Sequence, residues 1–174
     1  MAYPSPLTQD IPTHRFGTPG NSTQPIAKGI KAAATVYRGS IAVTRSGYLV
    51  AGSSPQTTDV CWGIIDKAGP GAADTGPGIT GGTTDGGVTA EISTGSFWVN
   101  AGTGVDALTV ANEGGVVYMI NETTVGATSQ GTRPACGILE QAASSLNVLA
   151  GMVAVKLGPS IGALPSAGGT GGPS

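Results

Sequence analysis

Short runs of alternating apolar and polar residues, separated by turn residues, extend from Ala33 to Leu157. β-branched and aromatic residues dominate these runs, which is typical of strands. The intervening segments, such as Ser46-Gly47 and residues 112–115, contain the Gly and Asn residues that tight turns need. The pattern predicts one mainly β domain over residues 33–157, built as a small β-barrel or β-sandwich.

The predicted strands cover residues 34–37, 40–43, 48–50, 59–65, 88–92, 97–100, 107–110, 116–120, 123–125, 135–139 and 151–157. A short helix over residues 140–149 is also compatible with the pattern. Alternation within Val60, Trp62 and Ile64, and within Val117 and Met119, predicts that each set shares one face of a strand. The other expected core residues are Tyr37, Ile41, Ile138, Val153 and Val155.

The N-terminal region has a different pattern, because five prolines lie among polar residues between Met1 and Gly29. Proline fixes φ and removes a backbone donor, so these residues disfavour both a helix and a central strand. Residues 1–32 are therefore predicted to form an extended arm, with a disordered leader as the alternative. Its isolated apolar side chains are the candidate contacts to a partner protein: Leu7, Ile11, Phe16 and Ile26.

Two glycine-rich stretches interrupt or follow the predicted body. Residues 67–87 show no apolar periodicity and exceed the usual length of a connecting loop, which indicates a functional or mobile segment. Residues 158–174 are rich in Gly, Pro and Ser and are expected to form a flexible C-terminal tail.

Composition narrows the choice of partners. The chain has 174 residues, of which 10% are charged, and a net charge of -2, whereas an ordinary soluble domain has about a quarter charged residues. Without a basic field to attract phosphates, nucleic acid and anionic membrane surfaces are not expected partners. The start of the chain has no leader pattern, and no apolar run reaches the length of a membrane span, so a cytoplasm-like compartment is expected.

The candidate metal and cofactor motifs do not meet the requirements of their chemistry. Cys61 and Cys136 each lie in an apolar run, which predicts buried free thiols, and two thiols with one distant histidine do not make a zinc site. Gly76 to Gly81 has the glycine spacing of a dinucleotide-binding turn, but the residues that follow do not begin a helix that would hold pyrophosphate. No cofactor and no metal are therefore predicted.

Catalytic patterns are equally weak. The single histidine, His14, lies in the predicted arm with no neighbouring group to orient it and no nucleophile close in sequence. Ser160 has the spacing of a hydrolase nucleophile, but it lies in the predicted tail with no histidine after it. The sequence predicts that the protein is not an enzyme.

A series of short motifs lies along the body over about residues 33–157. They are Tyr37-Arg38-Gly39-Ser40-Ile41-Ala42, Gly47-Tyr48-Leu49-Val50, Gly63-Ile64-Ile65, Ala73-Asp74-Thr75-Gly76, Asp106-Ala107-Leu108-Thr109, Gly115-Val116-Val117-Tyr118-Met119-Ile120-Asn121, Thr123-Thr124-Val125, Ala135-Cys136-Gly137-Ile138-Leu139-Glu140 and Val153-Ala154-Val155-Lys156-Leu157. The order and spacing of these motifs resemble one family, the bacteriophage capsid decoration or cement proteins.

The resemblance implies a β-rich, non-enzymatic protein that binds the outside of a phage head and stabilises contacts between subunits of the major capsid protein. It also implies a homotrimer at three-fold or quasi-three-fold positions. The expected location is the capsid exterior of the virion, and the host cytoplasm during assembly. The long arm, the loop before Val88 and the tail depart from the family pattern. The alternative function is a phage tail or receptor-binding β-domain, and a small hydrolase is a third.

Overall fold

The computed structural model describes residues 25–70, 72, 78–142 and 151–158. They form a mainly β structure with a small closed barrel, which confirms the predicted fold class. The architecture has three parts: a five-stranded sheet, a closed five-stranded barrel and a two-stranded sheet.

The first half of the described chain forms the five-stranded sheet and the two-stranded sheet, and the second half forms the barrel. The large sheet contains β1 (Ile26–Gly29), β3 (Ile41–Arg45), β4 (Tyr48–Val50), β5 (Val60–Ala68) and β7 (Thr89–Ser93), in the order β1-β7-β5-β3-β4. The small sheet pairs β2 (Thr35–Val36) with β6 (Ile79–Thr80). The barrel contains β8 (Gly95–Ala101), β9 (Val116–Asn121), β10 (Thr124–Gly126), β11 (Ala135–Gln141) and β12 (Met152–Leu157).

The barrel closes at β10, which pairs in parallel with β8 and antiparallel with β9. All other pairs in the circuit are antiparallel. Within the barrel, Val117 and Met119 on β9 are both fully buried in one cluster, as their alternation predicts.

Two hydrophobic clusters form the core, one on each face of the large sheet. The first joins barrel side chains such as Phe97 and Val155 to Ile41 and Ile64 of the sheet. The second contains Ile30, Val36, Ala42, Leu49, Ile65, Ile79, Ala90 and Ile92. Each fully buried aliphatic or aromatic side chain contributes roughly 1.5–3 kcal/mol. Because the first cluster contains side chains of both the large sheet and the barrel, it packs these two parts against each other.

The predicted alternation of Val60, Trp62 and Ile64 is wrong, and a β-bulge is the reason. Gly63 pairs with Ala42 and Cys61 pairs with Val43, so Trp62 has no partner on β3. An extra residue reverses the faces that the following side chains occupy. Cys61 and Ile64 therefore lie in the barrel-side cluster, Trp62 is half-buried against the other cluster, and Val60 is 40% exposed.

The β-rich body begins earlier than residue 33. Ile26 pairs with Ile92 and Gly29 pairs with Thr89, which makes residues 26–29 the edge strand next to β7. Ile30 is fully buried in the second cluster. Residues 26–30, assigned to the arm by the proline pattern, therefore belong to the fold, because Pro25 lies just before the strand rather than inside it.

The glycine-rich stretch 67–87 is partly structural. β5 continues through Ala68, and Ile79 on β6 is buried in the second cluster. The carboxylate of Asp85 accepts a hydrogen bond of 2.8 Å from the backbone N–H of Ala32. The segment proposed as a helix over 140–149 begins as strand, since Glu140 and Gln141 end β11, and residues 143–150 lie outside the described residues. The tail is described only at Gly158.

Candidate protein-binding surface

Residues 103–115, the valine loop, connect β8 to β9. The loop contains two 3-10 turns, Gly104–Asp106 and Val110–Asn112. The strand predicted over residues 107–110 is wrong, because Ala107 makes only an isolated bridge to Gly102. The backbone N–H of Ala107 instead donates to the carbonyl of Gly104 at 3.1 Å. Gly104 adopts φ +65°, a conformation that favours glycine and directs the chain into a turn.

The valine loop exposes two large apolar side chains. Val105 is 76% exposed and Val110 is 65% exposed, more than any other large hydrophobic residue of the described chain. The other exposed residues of the valine loop are uncharged, except for Glu113. They are Thr103, Gly104, Ala107, Thr109, Ala111, Glu113, Gly114 and Gly115. Single exposed apolar residues are ordinary. Each of these two side chains gains free energy when a partner removes it from water, and the nearly uncharged loop around them adds little cost of charge desolvation.

Asp106 anchors the first half of the loop from beneath. Its buried carboxylate accepts hydrogen bonds from Arg133 Nη1 at 2.6 Å, Thr128 Oγ1 at 2.7 Å and Gln130 Nε2 at 3.2 Å. Arg133 Nη1 also donates to the carbonyl of Thr128 at 3.3 Å. These contacts join the valine loop to the connection between β10 and β11.

The charge state of Asp106 follows from these contacts. Burial acts to raise the pKa of Asp106, but the hydrogen bonds from Thr128 and Arg133 and the positive charge of Arg133 outweigh it. The net result is a lowered pKa, so the carboxylate is ionised at neutral pH. A buried ion pair of this kind holds the loop only while both partners are charged.

Two glycines leave space for Asp106. A Cβ atom on Gly102 would lie 2.7 Å from the Cβ of Asp106, and one on Gly126 would lie 2.9 Å from it. Both distances are too short for an ordinary contact, so the backbone of β10 and of the segment after β8 approaches Asp106 only because these residues lack side chains.

Backbone and side-chain hydrogen bonds hold the second half of the loop. Leu108 is buried in the barrel-side cluster. The Asn112 side-chain carbonyl accepts from the Thr109 N–H at 2.8 Å, and Glu113 accepts from the N–H of Ala142 at 2.9 Å. The N–H of Gly114 donates to the Leu139 carbonyl at 2.8 Å. Val110 therefore projects from a backbone that is fixed on both sides.

The contact residues predicted from sequence lie elsewhere. Leu7, Ile11 and Phe16 are outside the described residues. Ile26 is half-buried on β1 and pairs with Ile92. Sequence reasoning missed Val110 because it assigned residues 107–110 to a strand, and it gave Val105 no role. The available signal was two valines in a Gly- and Thr-rich segment that lacks a regular alternation.

No group of three or more His, Cys, Asp and Glu side chains in the described part of the chain is arranged to hold a metal ion. Among the same residues, no helix has both the length and the apolar character needed to cross a membrane. Comparisons of the chain with protein-family models, with curated proteins and with solved structures found no match.

Proposed function

We propose that the protein is a non-enzymatic capsid decoration, or cement, protein that binds the outer surface of a phage head and stabilises contacts between major capsid protein subunits. The observation that carries the proposal is the construction of the valine loop. A buried ion pair holds a surface segment whose exposed side chains are apolar. Such a surface suits protein binding, because its ordering cost is met during folding rather than during association.

The position of the family-like motifs supports the same function. The motif Asp106-Ala107-Leu108-Thr109 supplies the anchoring carboxylate and the buried leucine of the valine loop. The motif from Gly115 to Asn121 contains the whole of β9, and the motif from Ala135 to Glu140 forms most of β11. The residues that resemble decoration proteins therefore include Asp106 and Leu108, which hold the valine loop on the barrel.

The charge distribution favours attachment by apolar contacts. Only 10% of the residues are charged, and Glu113 is the one exposed charged residue of the valine loop. A contact with few charges depends little on ionic strength. Retention on the shell should therefore persist at salt concentrations that remove proteins bound through ion pairs.

The location, the oligomeric state and a second attachment through the N-terminal residues belong to the same proposed function. The protein lies on the capsid exterior of the virion, and in the host cytoplasm during assembly, as a homotrimer at three-fold or quasi-three-fold positions. Residues 1–24 add a tethered second attachment to a neighbouring subunit, with Leu7, Ile11 and Phe16 as contacts. Linked weak contacts hold tightly, since the tether fixes the effective concentration of the second one.

The test uses capsids of the phage that encodes the protein, prepared without it, and measures bound copies by quantitative gel analysis. The variant carries Val105→Ser and Val110→Ser together, and the matched control carries Val60→Ser outside the loop. We expect a loss of affinity of roughly 10- to 100-fold for the double variant, since each valine loses on the order of 1 kcal/mol of burial. The control should bind normally.

Two results would contradict the proposal. Wild-type affinity of the double variant, with an unchanged melting temperature, would show that the valine loop is not the contact surface. Binding of the wild-type protein to host cells and not to capsids would favour the tail or receptor-binding alternative.

A further inference from the structure

The guanidinium of Arg133 is hydrogen-bonded through only one of its nitrogens within the described part of the chain. Nη1 donates to the Asp106 carboxylate at 2.6 Å and to the Thr128 carbonyl at 3.3 Å. Nε and Nη2 have no partner among the described residues. An arginine carries five N–H donors in a planar fork, so these two nitrogens leave three donors free.

The two unpaired nitrogens are accessible, although most of the side chain is buried. The Arg133 side chain is 14% exposed. Among the described residues, Asn121 Nδ2 is the one enclosed side-chain nitrogen or oxygen that lacks a hydrogen-bond partner. Nε and Nη2 of Arg133 are therefore in contact with solvent, and an oxygen atom of an incoming group can reach them.

Arg133 is held in place by contacts that do not use its free edge. Asp106, which accepts from Nη1, also accepts hydrogen bonds from Thr128 Oγ1 at 2.7 Å and from Gln130 Nε2 at 3.2 Å. The edge formed by Nε and Nη2 matches the spacing of the two oxygens of a carboxylate. Because the side chain is already ordered in the free protein, binding at this edge loses little rotamer entropy.

The free edge of Arg133 lies beside the valine loop. Arg133 contacts Asp106, and Asp106 follows Val105, which is 76% exposed. Arg133 is also the one basic residue in the valine loop and in the connection between β10 and β11, residues 127–134. An acidic side chain of a partner bound at the valine loop therefore has a single opposite charge to pair with in this part of the chain.

We propose that Nε and Nη2 of Arg133 bind a carboxylate, supplied by an Asp or Glu side chain of the protein that the valine loop contacts. The identity of that protein rests on the function proposed above, whereas the carboxylate site is a property of the free chain. A phosphate group carries up to two negative charges and a carboxylate carries one. The Asp106 charge repels the additional charge of a phosphate, so the site favours a carboxylate.

The proposed contact agrees with attachment that persists at high salt. An ion pair at a largely buried guanidinium is screened much less than a pair of exposed charges. A carboxylate at Arg133 therefore adds specificity for the partner without making retention strongly dependent on ionic strength.

The first experiment tests the site on the free full-length protein, with sodium acetate as the probe. The Nε–H signals of isotope-labelled protein are assigned and followed by NMR at constant ionic strength. We expect a saturable shift of the Arg133 signal with acetate and a smaller shift with inorganic phosphate. Arg45 is the internal control, because its Nε and Nη2 already donate to the two oxygens of Asp59 at 2.8 Å. An Arg133 signal that moves no more than that of Arg45, or moves more with phosphate, would overturn the inference.

The second experiment tests the contact on capsids prepared without the protein, at one salt concentration. Arg133→Lys keeps the charge beside Asp106 but loses the planar fork, and Arg45→Lys is the matched control. We expect Arg133→Lys to bind roughly 10-fold more weakly, as the loss of a charged hydrogen bond implies, and the control to bind normally.

The outcomes separate the site from the proposed function. Wild-type affinity of Arg133→Lys for capsids contradicts the inference. If the wild-type protein itself fails to bind capsids, the proposed function is wrong, and the acetate titration of the free protein decides the carboxylate site. The same titration decides it if Arg133→Lys does not fold.

Discussion

Arg133 Nη1 and the buried carboxylate of Asp106 form an ion pair of 2.6 Å between residues that are 27 positions apart in the chain. Both side chains are largely removed from solvent. The contact fixes the valine loop to the connection between β10 and β11, so the stability of the fold and the presentation of Val105 depend on the same pair.

Replacement of Arg133 by methionine should lower the free energy of unfolding by about 3 kcal/mol, because it leaves the Asp106 charge buried without its partner. The matched control is Lys67→Met, which removes an ion pair with Glu91 whose lysine side chain is 59% exposed. That change should cost less than about 1 kcal/mol. Urea unfolding of both variants measures the two losses of unfolding free energy. Equal losses would show that the buried pair stabilises the fold no more than the exposed pair does.

The stability of the protein should decrease at acid pH, partly through Asp106. Its folded-state pKa is lowered, so its contribution is complete above the unfolded pKa of about 3.9 and is lost as pH falls through the folded pKa. Asp106→Asn does not titrate at this position. The stability difference between wild type and Asp106→Asn, measured by urea unfolding, should be constant from neutral pH to about pH 5 and shrink below pH 4. A difference that stays constant to pH 2 would contradict the assignment.

Replacement of Gly63 by alanine should be far more damaging than replacement of an exposed glycine. A Cβ at Gly63 would lie 2.2 Å from the carbonyl oxygen of Ser93, a backbone atom of the paired strand β7. We expect a loss of about 3 kcal/mol or more, since overpacking against backbone forces the strands apart. Gly104→Ala, also at positive φ but with open space around it, should cost only about 1 kcal/mol. Similar losses for the two variants would argue against the tight bulge.

Trp62, on the central strand β5 of the large sheet, makes two separate contacts with other strands. Its Nε1 donates to Thr44 Oγ1 at 2.8 Å, and Lys28 Nζ lies 3.8 Å from its ring centroid. Trp62→Phe keeps an aromatic ring but removes the donor, and should cost about 1 kcal/mol. Lys28→Gln should cost on the order of 0.5–1 kcal/mol. Combined with Trp62→Leu in a double-mutant cycle, Lys28→Gln should show coupling, and strict additivity would mean that the cation contributes nothing.

Two N-terminal deletions separate the proposed arm from the fold. Removal of residues 2–24 should leave the melting temperature of the protein nearly unchanged and reduce its retention on capsids. Removal of residues 2–30 also deletes β1 and the buried Ile30, and should lower the melting temperature by several degrees or prevent folding. If the shorter deletion lowers the melting temperature as much and the protein still decorates shells, residues 1–24 serve the fold and not attachment.

The sequence alone determined the fold class, because strand periodicity and turn chemistry are local properties. The alternation of Val117 and Met119 identified a buried strand face, and the apolar surroundings of Cys61 and Cys136 indicated buried free thiols. Proline content marked the chain before β1 as a different region. It placed the boundary too late, because a strand of four residues after Pro25 resembles the arm in composition.

Tertiary structure decided everything that depends on contacts distant in sequence. The bulge at Trp62 exists only relative to β3, so the alternation of Val60 and Ile64 gave the wrong faces. The pairing of Asp106 with Arg133 depends on closure of the barrel, which brings the segments on either side of β9 and β10 together. Exposure of Val105 follows from that anchoring, and exposure of Val110 follows from the hydrogen bonds of Asn112, Glu113 and Gly114. A hydrophobic side chain in a sequence does not reveal whether the folded backbone directs it inward or toward solvent.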